Sequence, residues 1–159
     1  MTQKLYELIM ESIIYEDSPQ YDSWLKAIMV LPVFFIVLGI YYLFTRDIES
    51  AVGLFATALL MGAIYWAIFP RKYQILDSKL RIVLGGNFRF NIPFDSLETA
   101  GKQEGISLGL NFATTFISER IVEIKRKRGM KVNITPSNRD VFLQNLTKAV
   151  YDWKRGAAK

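Results

Sequence analysis

The chain has 159 residues, 51% of them hydrophobic, and carries 20 Lys and Arg against 15 Asp and Glu, for a net charge of +5. It holds no Cys and no His. That excludes thiol nucleophiles, disulfides, Cys/His zinc sites and His general bases, and the length allows one small domain together with a membrane unit.

The charge is unevenly spread. Residues 1–24 carry Lys4 against Glu7, Glu11, Glu16, Asp17 and Asp22, whereas residues 70–159 hold about 17 Lys and Arg against about 8 Asp and Glu. An acidic arm therefore precedes a basic domain. In residues 3–15, Leu5, Leu8, Ile9 and Ile13 recur at helical spacing with Glu7 and Glu11 on another face, which predicts a short amphipathic helix. Anionic lipid repels its acids and a basic domain attracts them, so the favoured site for this helix is the chain's own basic domain, ahead of the membrane or a partner. Asp17, Ser18 and Pro19 end it.

Two uncharged apolar runs follow, over residues 27–44 and 51–69. Each is long enough to cross a hydrocarbon core, which takes about 17–25 apolar residues. The connection over residues 45–50 is too short for anything but an antiparallel pair. The predicted unit, residues 25–69, is a transmembrane helical hairpin. Asp22 or Ser23 is placed to cap its first helix, and Pro32 to kink it. Ala58 with Gly62, and Ala63 with Ala67, form small-residue pairs that allow close helix approach. Tyr21, Trp24, Tyr41, Tyr42, Tyr65 and Trp66 sit where interfacial aromatics belong. No ionisable residue lies within either run, which argues against an ion or proton path. Arg71, Lys72, Lys79, Arg81 and Arg89 follow the second run, against Arg46 alone in the turn. The positive-inside rule then places both termini in the cytoplasm and the protein in the cytoplasmic membrane as a multi-pass chain. A secretory signal is the competing reading of the first run, but acids precede it and no A-x-A-like site ends it.

From Tyr73 the apolar period changes to two. A two-residue loop at Asp77 and Ser78 sets Ile75 opposite Leu80 and Tyr73 opposite Ile82. A three-residue loop at Gly85, Gly86 and Asn87 sets Leu84 opposite Phe88 and Ile82 opposite Phe90. Both registers gather apolar residues on one face, as a half-buried antiparallel meander requires. Residues 97–101 read as a fourth short strand. Ile106, Leu108, Leu110 and Phe112 alternate as a further strand or as a loop with apolar teeth. A three-residue loop of Lys127, Arg128 and Gly129 sets Val122 against Ile134 and Ile124 against Val132, with Gly129 supplying the positive φ. The last element is a helix: Ser137 with Asp140 forms a capping-box-like start, Phe142, Leu146, Ala149, Val150 and Trp153 line one face, and Gly156 stops it. The fold class expected is a two-helix membrane hairpin followed, over residues 70–159, by an antiparallel β-barrel or sandwich closed by a C-terminal helix.

In this arrangement the chain resembles the bacterial pleckstrin-homology-like membrane proteins. The resemblance is carried by Tyr73 to Ile82, by Ile92-Pro93-Phe94-Asp95-Ser96-Leu97, and by Val132 to Ser137 running into Asp140-Val141-Phe142-Leu143. It covers roughly residues 25–153 and implies a pleckstrin-homology-like barrel with a capping helix at the cytoplasmic membrane. It brings no catalytic residue and no cofactor.

The candidate binding residues are Lys125, Arg126, Lys127, Arg128 and Lys131, with Lys79 and Arg81 on the first hairpin. In the register above Lys125 lies opposite Lys131. Like charges paired across strands are destabilising, so an anionic partner is expected: phospholipid headgroups or an acidic protein segment. Two plainer readings compete, a solvated edge whose charges prevent edge-to-edge association, and neutralisation by the acidic arm. Lys79 and Arg81 match the position of phosphoinositide-binding residues in eukaryotic pleckstrin-homology domains, without the longer basic pattern those domains use. No aromatic alternates with the basic residues of the hairpin, which argues against nucleic acid. Glu119 and Glu123 face no second acid across a cleft, and Gly85-Gly86-Asn87 lacks the Lys-Ser/Thr and helix of a phosphate loop, so no enzyme is expected. The function expected is non-catalytic docking at the cytoplasmic face. The alternative is a structural subunit of a larger membrane complex that meets its partners through the spanning helices.

Overall fold

The computed structural model describes residues 12–86, 88–103, 109–115 and 117–157. They divide into two compact units: residues 21–69, and a β unit built from residues 12–20 together with 70–157.

The first unit is helical. α1 (Ser23–Met29) and α2 (Leu31–Phe44) run as one apolar stretch, interrupted at Val30. Pro32 stands in the first turn of α2, where its missing N–H breaks the ladder. The kink expected there is thus a division into two helical segments. α3 (Ile48–Ile68) returns antiparallel, and both stretches have the length and composition needed to cross a membrane. The turn between them holds Arg46 at φ 61°. Asp47 caps α3: its carboxylate accepts from the Ser50 N–H at 3.1 Å and the Ser50 hydroxyl at 2.7 Å. Those two hydrogen bonds hold the Asp47 carboxyl below its usual pKa. The close contact of the pair involves Gly39 of α2: a Cβ there would meet the Phe55 ring at 2.8 Å. Ala51 and Ala58 of α3 are buried. Gly62, expected to share that role with Ala58, has open space around it.

The β unit begins with β1 (Ile13–Asp17), which replaces the end of the helix expected over residues 3–15. Leu5, Leu8 and Ile9, the rest of that expectation, lie outside the described residues. β1 pairs antiparallel with β2 (Lys72–Leu76), and β2 pairs in turn with β3 (Lys79–Val83) and β3 with β4 (Arg89–Pro93). The registers Ile75–Leu80, Tyr73–Ile82 and Ile82–Phe90 are those the loop arithmetic gave. The Leu84 N–H donates to the Phe88 carbonyl, although Asn87, within that turn, lies outside the described residues. The acidic arm does meet the basic domain, as a strand. Glu16 accepts from Lys72 at 2.6 Å and from Gln74 at 2.7 Å, and these hydrogen bonds lower its pKa. The helical unit is therefore inserted into the connection between two adjacent strands of one sheet.

The second sheet has the order β5 (Leu97–Lys102), β7 (Val122–Arg126), β8 (Lys131–Ile134), β6 (Gly109–Phe112). Val122–Ile134 and Ile124–Val132 pair as expected. β6 does not fit an all-antiparallel sheet: it pairs parallel to β8, and Ile106 and Leu108 of the expected strand fall outside the described residues. Gly109 permits the close approach, because a Cβ there would lie 2.3 Å from the Lys131 carbonyl oxygen. Inward residues of both sheets form one core with α4 (Arg139–Ala157). In α4, Phe142 and Leu146 are fully buried while Trp153 is half-buried against Phe94. The side chain of Asn138 accepts from the Val141 N–H and takes the capping position expected of Ser137. The Ser137 hydroxyl donates instead to the Ser18 carbonyl at 2.7 Å. Gly156 lies inside the helix and does not stop it.

A buried polar knot closes this unit. The Tyr73 hydroxyl donates to the Phe112 carbonyl at 3.1 Å, the Thr114 N–H donates to Thr135 Oγ1 at 2.7 Å, and the Thr114 hydroxyl donates to the Gln20 carbonyl. The segment following β1 is thereby tied to the ends of β6 and β8.

Candidate functional site

The basic hairpin is the turn between β7 and β8. Gly129 adopts φ +104°, the conformation that made glycine the expected residue there. Arg126 folds back across the turn. Its Nε donates to the Met130 carbonyl at 2.8 Å, and its guanidinium lies 5.7 Å from the centre of the Phe90 ring. The Lys127 N–H donates to the Ser96 carbonyl at 2.8 Å, which ties this turn to the turn before β5. Arg126 is thus engaged in shaping the turn. Lys127 and Arg128 are exposed at its tip, beside Met130 at 61% exposure.

Lys125 and Lys131 are not the uncompensated pair that the register implied. Glu123, only 6% exposed, lies between them: its Oε1 is 3.2 Å from Lys131 Nζ and 3.8 Å from Lys125 Nζ. The two ammoniums converge on one carboxylate, so their mutual repulsion is offset within the sheet. The alternation of β7 carried the signal, because residues two apart on a strand share a face. A Glu two positions before Lys125 is therefore its neighbour.

Lys79 and Arg81 lie elsewhere. They sit on β3, where they alternate with Leu80 and Ile82, which turn to the core. Arg81 Nε donates to Asn91 Oδ1 at 3.2 Å across the β3–β4 pair. Lys79 and Arg81 thus face outward from the first sheet, and Lys125 and Lys131 outward from the second. The two sheets pack through their inner faces, so the candidate residues form two groups.

One further feature adjoins the hairpin. A cleft of about 300 Å³ lies over the second sheet, lined by Thr99, Ala100, Gly101 and Lys102 of β5, Glu123 and Lys125 of β7 and Lys131 of β8. Thr99 pairs with Lys125 and Gly101 with Glu123. A Cβ on Gly101 would have nothing within 4 Å. Among the described residues no group of three or more His, Cys, Asp or Glu is placed to hold a metal ion.

No protein-family model matches the chain. The search of curated proteins returned no match.

Proposed function

We propose that the protein is a non-catalytic, membrane-anchored interaction module of pleckstrin-homology-like type, which docks anionic phospholipid headgroups or an acidic protein segment at the cytoplasmic face. The anchor is the antiparallel pair made by residues 23–44 and 48–68. β1 and β2 are neighbours in one sheet, so the chain enters and leaves the anchor on one side of the bilayer. The basic residues after α3, against Arg46 alone in the turn, make that side cytoplasmic. The chain has no native Cys, which allows a direct test. With single cysteines introduced in intact cells, Glu49→Cys is expected to react with an impermeant maleimide and Asp95→Cys to stay unlabelled. The reverse pattern would overturn the topology.

The observation that carries the docking reading is the tip of the β7–β8 turn. Two exposed cations precede an exposed methionine on a turn braced by Arg126 and Ser96. Basic residues beside an apolar side chain suit the headgroup boundary of an anionic membrane, and this favours lipid over an acidic segment. In full-length protein reconstituted with phosphatidylglycerol, a fluorophore on Met130→Cys is expected to be quenched by brominated lipid, and less so as salt rises. Replacing Lys127 and Arg128 with Gln removes two charges of about 1 kcal/mol each, so membrane association of the tip should weaken roughly 30-fold at low salt. Equal quenching in neutral and anionic bilayers would defeat the reading. The role would then pass to the spanning helices, as in a structural subunit of a larger complex.

A further inference from the structure

We infer that the cleft over β5, β7 and β8 is a binding site for a phosphate monoester. This goes beyond docking at the turn tip, because it treats Lys125 and Lys131 as members of a site on the sheet face and leaves Lys127 and Arg128 out of it.

Four features carry the inference. First, the cleft has a volume of about 300 Å³ and is lined by residues of three neighbouring strands, β5, β7 and β8. Second, its ammonium groups are pre-positioned. The nearly buried Glu123 draws Lys131 Nζ to 3.2 Å and Lys125 Nζ to 3.8 Å. Each ammonium has three donors, so contact with one carboxylate oxygen leaves N–H groups for a ligand. Holding both side chains beforehand reduces the rotamer entropy lost on binding. Third, the cleft allows a close approach. Gly101 stands opposite Glu123 with open space where a side chain would be, and Thr99, cross-strand from Lys125, adds a hydroxyl donor. Fourth, the charge fits. On the face that carries Glu123, Lys125 and Lys131 bring two positive charges against one negative, a net +1. A phosphate monoester carries about −1.5 to −2 at neutral pH, with several strong acceptor oxygens. A phosphodiester offers two unesterified oxygens to the donors of Lys125, Lys131 and Thr99, where a monoester offers three. Lysine serves such a ligand as a point charge, without the bidentate geometry arginine would need.

A monoester phosphate reaches such a site either as a soluble ester or as the terminal phosphate of a lipid. The test uses full-length protein in non-ionic detergent, titrated calorimetrically with glycerol 3-phosphate, dioctanoyl phosphatidic acid and dioctanoyl phosphatidylglycerol. Saturable one-to-one binding of a monoester is expected, about tenfold tighter than phosphatidylglycerol. If only phosphatidic acid binds, the source is lipid; if glycerol 3-phosphate binds as well or better, it is soluble. Gly101→Val narrows the cleft without changing charge, its Cβ meets no atom within 4 Å, and it should abolish binding. Lys131→Gln should weaken it about tenfold or more, the scale of one charge-assisted hydrogen bond. Replacing Lys127 and Arg128 with Gln should leave monoester binding unchanged, even if docking of the turn tip to membranes is lost, so the two readings fail separately. Monoester binding that survives Gly101→Val, or no preference over the diester, would overturn the inference.

Discussion

A fragment beginning at Pro70 is expected to lose its cooperative fold, and restoring residues 12–20 through a linker of about six Gly/Ser residues in place of residues 21–69 should recover it. The reason is the position of β1. It contributes a strand to the first sheet, with Asp17 opposite Tyr73 and Glu16 opposite Gln74. Its Tyr15 ring packs edge-on to Phe142. The segment after it is sewn to the far end of the second sheet: the Gln20 N–H donates to the Thr135 carbonyl, the Ser137 N–H donates to the Ser18 carbonyl, and the Thr114 hydroxyl donates to the Gln20 carbonyl. Each such hydrogen bond contributes about 0.5–1.5 kcal/mol net. Together with the loss of Tyr15 packing, the sum is comparable to the whole stability of a small domain, about 5–15 kcal/mol. Thermal melts of the two fragments by near-ultraviolet circular dichroism decide the matter. If residues 70–159 melt as cooperatively, and at the same temperature, as the linked form, β1 is an ornament of the sheet.

Phe142→Ala is expected to destabilise the β unit by about 3–5 kcal/mol. The ring is fully buried and lies edge-on to both Tyr15 and Tyr73, with centroid distances of 6.2 and 6.3 Å. It therefore joins α4 to β1 and β2 at once, and edge-to-face pairs add about 0.5–1.5 kcal/mol beyond burial. Trp153→Ala makes the informative comparison. Trp153 is the larger side chain and shared the apolar face of the helix in sequence, but it is half-buried and, among the described residues, packs against the Phe94 ring at 6.2 Å. Its removal should cost less than that of Phe142. Hydrogen-exchange protection of β2 and β8 amides in the full-length protein reads the β unit separately from the helical one. A greater loss of protection in Trp153→Ala than in Phe142→Ala would contradict this packing of α4.

The candidate site was legible in part. The β7–β8 register and the positive φ of Gly129 followed from a turn and the apolar residues beside it. The compensation of Lys125 and Lys131 by Glu123 was also within reach, since alternation along one strand places it. The cleft was not, because much of its lining comes from β5, whose pairing with β7 leaves no local mark between residues 102 and 122. Arg126 looked like its basic neighbours in sequence. Its engagement with Met130 and Phe90 depends on where β4 lies.

By itself the sequence determined the elements whose partners are near in the chain. The two uncharged runs form an antiparallel helical pair because a six-residue turn leaves no other arrangement. The β2–β3, β3–β4 and β7–β8 registers follow because a short loop and a period of two fix which side chains share a face. Tertiary structure decided what depends on distant partners. Residues 13–17 end a stretch of helical spacing, but they sit beside β2, and ladder hydrogen bonds with Glu16–Lys72 and Glu16–Gln74 contacts outweigh a weak local helical preference. β6 pairs parallel with β8, two strands that no short turn joins, and Gly109 permits their close approach. Ser137 gives up the helix cap to Asn138 because the Ser18 carbonyl, more than a hundred residues earlier, lies within its reach. In each case the deciding energy lies in a contact between segments that no short turn joins, and local periodicity does not encode it.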